Sequence, residues 1–96
     1  MVAYWIASIG VDDPATISGY SQRAPAAVAK FGGRFLSRAG KFHLLEGTIA
    51  GDRCAVIEFP DMETAVACYN SPEYQEALSY REGKADAVFF VVEGTE

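Results

Sequence analysis

A single α+β domain with its elements in the order β-α-β-β-α-β is predicted from three observations. Four stretches, at 2–11, 34–46, 53–59 and 85–93, are rich in β-branched and aromatic residues. The two segments between them that are not turns carry apolar residues every three or four positions. Glycine, proline or a capping Asp or Ser stands at the boundaries. A chain of 96 residues has material for one hydrophobic core and not for two.

The first strand, 2–11, ends at Asp12-Asp13-Pro14, which supplies a strand stop, a helix cap and a proline suited to the first helical position. Ile17, Tyr20, Ala24, Ala27, Val28 and Phe31 then recur at helical spacing, so a helix is expected over 14–31, closed by Gly32-Gly33. Pro25 lies inside it and has no N–H to bond four residues back, which predicts a kink or break near Ser21-Gln22. Residues 34–39 and 42–46 read as one strand interrupted by a bulge or bend at Gly40-Lys41. After the turn Ala50-Gly51-Asp52, a third strand over 53–59 stops at Pro60-Asp61. Asp61 can cap a helix whose apolar stripe is Met62, Ala65, Val66 and Tyr69, ending near Asn70. Ser71-Pro72-Glu73 restarts the helix with cap, proline and acid in their preferred places, carrying Tyr74, Ala77, Leu78 and Arg81 as far as Gly83. Residues 85–93 form the last strand, and Gly94-Thr95-Glu96 is a polar tail expected to fray.

Right-handed crossovers fold this order into a four-stranded antiparallel sheet with both helices on one face. If water met the other face, the strands would alternate apolar and polar. Instead the first strand has Val2, Tyr4 and Ile6 on one parity and Ala3, Trp5, Ala7 and Ile9 on the other, and the last has Val88, Phe90 and Val92 against Ala87, Phe89 and Val91. An apolar face of that extent needs a cover, and the simplest is a second copy. A two-fold homodimer, sheet face against sheet face, is therefore expected, burying about 800 Å² per subunit if it is typical.

Composition excludes several functions. A net charge of −5 disfavours nucleic-acid backbones and anionic membranes, which are bound through clustered Lys and Arg. Cys54 and Cys68 form no CxxC and sit among Ala, Val and Tyr, as buried thiols in a reducing compartment do. The N-terminus lacks a basic signal-peptide region, and the longest apolar run, 87–92, is too short to cross a bilayer, so a cytoplasmic location is expected. No glycine-rich phosphate loop and no Gly-x-Ser-x-Gly occurs, so nucleotide binding and triad hydrolysis have no support, and no cofactor is implied.

Candidate chemistry concentrates between Gly32 and Glu58, where Arg38, His43 and Glu46 interrupt apolar strand-like runs. His43, the single histidine, is the natural acid or base at neutral pH, although a lone strand histidine is often structural. On a strand, His43 and Glu46 point to opposite faces, which argues against a metal site. Glu46 and Glu58, if turned toward the sheet interior, need a partner, and Arg38 is the obvious one. The pair is either a structural brace or an anion-binding guanidinium beside a general base. Tyr20, Tyr69 and Tyr74 lie on helix faces that look toward the sheet; they pack the core, or line a substrate cleft if the helices stand away from it.

Four strings, Lys30-Phe31-Gly32-Gly33-Arg34-Phe35-Leu36, Leu45-Glu46-Gly47, Ile57-Glu58-Phe59-Pro60 and Tyr69-Asn70-Ser71-Pro72-Glu73-Tyr74-Gln75, together resemble the family called domain of unknown function 1330. The resemblance runs over nearly the whole chain, with Asn-Ser-Pro-Glu-Tyr-Gln its most specific piece. It implies a ferredoxin-like subunit of the dimeric α/β barrel superfamily, whose members include cofactor-free oxygenases, isomerases and haem-handling proteins, so that no single reaction is implied. Two departures stand out: Arg38-Ala39-Gly40 where the family tends to Arg-Gly-Gly, and Cys68 where an aromatic is common. Two functions fit. One is a cofactor-independent enzyme on a small, anionic organic molecule, with His43 and Glu46 in acid/base roles, Arg38 binding the anion and Tyr20, Tyr69 and Tyr74 shaping the pocket. The other is a non-catalytic dimeric binding module or stress-associated protein.

Overall fold

The computed structural model describes residues 1–95; the last residue of the polar tail, Glu96, lies outside them. Four strands, β1 (Ala3–Gly10), β2 (Arg34–Gly40), β3 (Arg53–Phe59) and β4 (Asp86–Glu93), form one antiparallel sheet in the order β2-β3-β1-β4. The helices α1 (Ser18–Lys30), α2 (Met62–Tyr69) and α3 (Pro72–Ser79) cover one face, and a 3-10 turn over Pro14–Ile17 leads into α1. This is the βαββαβ arrangement expected, with the second helix divided in two at Asn70-Ser71.

Local chemistry accounts for the boundaries. The Asp61 carboxylate accepts from the Thr64 amide at 2.7 Å and caps α2; Ser71 accepts from the Tyr74 amide at 3.1 Å and caps α3. The Ser71 hydroxyl also donates to the Cys68 carbonyl at 2.7 Å, so one buried side chain closes one helix and opens the next. Contrary to expectation, α1 runs unbroken past Ser21-Gln22 and Pro25. The Ser21 carbonyl, which Pro25 leaves without its helical donor, accepts instead from Arg38 Nη2 at 3.4 Å, so the freed acceptor finds a donor on another element.

The second departure lies after β2. Residues 41–52, including 42–46, form an irregular connection and not a strand. Apolar residues make a strand only where a neighbour completes the ladder, and the pairing of β2 with β3 ends at Gly40 opposite Cys54. Ala39 there has φ +54°, the left-handed region glycine occupies without strain. The connection is pinned at its far end, where the Ser8 hydroxyl donates to the Ala50 carbonyl. Gly51, at φ +74°, lies so close to β1 that an added Cβ would overlap the Ile9 carbonyl. Gly51→Ala is expected to destabilise the protein by more than about 1 kcal/mol. The measurement is urea unfolding, where the midpoint should fall with the slope unchanged; an unaltered midpoint would refute the close approach.

Ala3, Trp5 and Ala7 of β1 and Ile57 and Phe59 of β3 are buried under the helices. On the opposite face, Val88, Phe90 and Val92 remain 43%, 51% and 46% exposed. Extents of 36 × 34 × 17 Å match one sheet and one helical layer; on the bare side the connection around Ala50 covers only the Ser8 end. Among the described residues no helix is long and apolar enough to cross a membrane.

Candidate functional site

Small residues open a space between α1 and the sheet. Ala7 and Ala55 pair across β1 and β3 on the helix-facing side, and Ala24 and Ser21 of α1 lie over the same space. The resulting cavity, about 440 Å³, is floored by Trp5, Ala7, Ile9, Ala55 and Ile57, roofed by Ile17, Tyr20, Ser21, Ala24, Pro25 and Val28, and bounded by Phe35, Arg38, Tyr74 and Phe89. Such a volume lined by apolar groups with a few polar ones is typical of small-molecule sites.

Arg38 reaches this cavity because of an irregular ladder. Register shifts between Phe35 and Ser37 and again between Ser37 and Gly40, so Arg38, three residues beyond Phe35, joins it on the helix-facing side. Its guanidinium carbon lies 5.3 Å from the Phe35 ring centroid, and it donates a hydrogen bond to the Ser21 carbonyl freed by Pro25. The expected Arg38–carboxylate pair does not form. Glu58 lies on the bare face and pairs at 3.0 Å with Arg34, its register partner.

At the inner end the Tyr20 and Tyr74 hydroxyls are 2.7 Å apart, and Arg81, in the turn after α3, donates from Nη2 to the Tyr74 hydroxyl at 3.4 Å. Burial pushes the Tyr74 phenol well above the ordinary tyrosine range, Tyr20 adds to the rise, and the smaller pull of Arg81 does not reverse it. Tyr74 is therefore a neutral donor. Burial works against the charge of Arg81, but its hydrogen bond to Tyr74 and the attraction of both phenols outweigh it, holding the guanidinium above its usual range. Trp5 centres the aromatic cluster, and its indole Nε1–H is buried without an acceptor.

Of the residues singled out in the sequence, Tyr20, Tyr74 and Arg38 line the cavity. Tyr69 packs behind it, 5.8 Å from the Trp5 ring and 5.3 Å from that of Tyr74. His43 and Glu46 are exposed on the 41–52 connection, outside the cavity, although Ala39 and Asp52 at its two ends are lining residues. Sequence reasoning passed over Trp5 and Arg81. The signal for Arg81 was its place seven residues after Tyr74, two helical turns along one face. Both cysteines are free; Cys68 is buried, and that burial pushes its thiol up to about 11. Among the described residues no three His, Cys, Asp or Glu side chains converge as a metal site.

The same fold occurs in solved structures of low sequence identity. A protein of unknown function from Rhodopseudomonas palustris superposes with a TM-score of 0.73 at 16% identity, covering 99% of this chain and 83% of that one. SnoaB, a cofactor-independent oxygenase from Streptomyces nogalater, gives 0.69 at 12% identity, covering 99% and 94% in one of its variants. A dimeric protein of unknown function and ferredoxin-like fold from Bacteroides fragilis gives 0.66 at 13%, covering 97% and 96%. No curated protein sequence matches the chain. Residues 2–95 match the family described as a domain of unknown function (DUF1330), and the chain belongs to that family.

Proposed function

We propose that the cavity under α1 receives a small, largely apolar organic molecule bearing an acidic or anionic oxygen, and that the protein acts on it without a cofactor. The observation that carries this reading is the cavity itself, whose apolar walls carry the polar side chains of Tyr20 and Arg38. An anionic ligand oxygen would offer Arg38 a charged acceptor in place of the neutral Ser21 carbonyl. Fixed donors in a water-poor site stabilise charge that develops on a substrate, which is what catalysis without a cofactor requires. The description of SnoaB as a cofactor-independent oxygenase on this fold supports the class of reaction, not the substrate. Roles for His43 and Glu46 in proton transfer require the 41–52 connection to close over the cavity mouth.

The bare sheet face pairs with a second copy in this reading, as the exposure of Val88, Phe90 and Val92 and the dimeric Bacteroides fragilis neighbour support. A second reading, a dimer that binds but does not convert its ligand, is favoured by the position of His43 and Glu46 away from the cavity.

The test compares wild type with Ala55→Leu, which fills the cavity from the sheet side. A panel of aromatic acids, phenols and enolisable ketones is screened by thermal melting, with mass spectrometry of each ligand after incubation in air. At about a hundred times its Kd, a ligand stabilises the folded state by roughly 2.7 kcal/mol, a rise in Tm on the order of 10 °C for a domain of this size. That rise should be absent in Ala55→Leu. Conversion of the ligand identifies the enzyme, and binding without conversion the module. An equal response in both proteins, or none in wild type, overturns the cavity reading.

A further inference from the structure

Arg81 is 7% exposed, its Nε has no partner, and among the described residues no carboxylate pairs with it. A buried cation without a counter-ion is costly, and here aromatic faces and the Tyr74 and Tyr20 hydroxyls offset the cost. Its guanidinium carbon lies 4.4 Å from the Phe89 ring centroid and 5.0 Å from that of Tyr20.

Arg81 can only donate, so Tyr74 accepts from it, and either phenol can donate across the 2.7 Å between the Tyr74 and Tyr20 oxygens. When Tyr74 directs its proton to the Tyr20 oxygen, the Tyr20 proton has no acceptor among the described residues, on a side chain that lines the cavity. Each donor in such a chain polarises the next, so the positive charge behind Tyr74 is felt at the Tyr20 hydroxyl.

We propose that the ligand's oxygen is held at the Tyr20 hydroxyl as an oxyanion, the conjugate base of a phenol, enol or carboxylic acid, with Arg81 as the positioning residue acting through Tyr74. The inference rests on the cavity being the ligand site. On binding, the ligand's O–H bond breaks, its proton leaves to water, and the electron pair stays on oxygen; nothing is oxidised or reduced. The other charged groups facing the space are Arg38 of β2, which adds to the preference for anions, and Asp12, Asp52 and Arg53 at the exposed margin. There water screens them, and the Asp52 carboxylate stands 3.9 Å from Arg53.

Two probes of similar shape test this on the full chain. 4-Nitrophenol changes colour when it ionises; 4-nitrotoluene cannot ionise. Wild type should bind both, the phenolate about tenfold more tightly than the phenol, which lowers the ionisation midpoint of the bound dye by about one pH unit. In Tyr20→Phe and in Arg81→Met that shift should vanish while 4-nitrotoluene binds as before, and Arg81→Lys should keep part of it. If Arg81→Met does not fold, Tyr20→Phe alone decides, because it removes one hydroxyl from a half-buried ring. Binding of 4-nitrotoluene with no preference for the phenolate overturns the oxyanion proposal and leaves the cavity reading standing. Binding of neither probe overturns both.

Discussion

Trp5→Ala is expected to cost about 3–5 kcal/mol, the range for removing a large buried aromatic, and to leave a domain of this size barely folded. Trp5 is 2% exposed and touches four rings: Phe59 stacked at 5.7 Å, Tyr74 edge-on at 5.0 Å, and Tyr69 and Phe89 at 5.8 and 5.9 Å. Alanine would join the indole's space to a cavity that already exists, and a site that begins half-empty collapses poorly. The measurement is near-ultraviolet circular dichroism with urea unfolding; a cooperative transition close to that of wild type would show that the cluster does not carry the core. Trp5→Phe separates packing from hydrogen bonding. It keeps most of the contact and removes an N–H that has no partner among the described residues, so stability should change by less than about 2 kcal/mol.

Phe90→Glu is expected to abolish pairing of the sheet faces. Phe90 is 51% exposed midway along the edge strand β4 on the bare face, with Ile6 of β1 its register partner and Val88 and Val92 on either side. A carboxylate enclosed in an apolar contact is a buried, unpaired charge, and the dimer should weaken at least about a thousandfold, near 4 kcal/mol. The isolated subunit gains a solvated charge on an exposed position and should stay folded. Sedimentation across a concentration series reads this as a monomer in the variant and a dimer in wild type. A wild type that remains monomeric at every concentration removes the basis for the interface.

The elements were legible because each carries its own periodicity. Alternation at Ala3, Trp5 and Ala7, and three-to-four spacing at Ala24, Ala27 and Val28, mark the buried sides that the fold does bury. The caps at Asp61 and Ser71 were legible because a capping side chain acts within three residues of its target. Residues 42–46 misled for the converse reason: their composition suits a strand, but a strand requires a partner that local sequence does not supply. At Pro25 the missing amide was legible but the break did not occur, and the carbonyl it frees is satisfied by Arg38 from another element.

What the sequence determined by itself is therefore the order of elements, the side of each that faces inward, and a sheet too apolar on its second face to be left uncovered. Tertiary structure decided which side chains meet. A shifted ladder brought Arg38 beside Phe35, small residues on three elements left a cavity, and a turn after α3 buried Arg81 against two tyrosines fifty-odd positions apart. Those encounters depend on strand register and on the spacing between α1 and the sheet, which arise only when distant segments pack; a periodicity read along a few turns of chain holds no record of them.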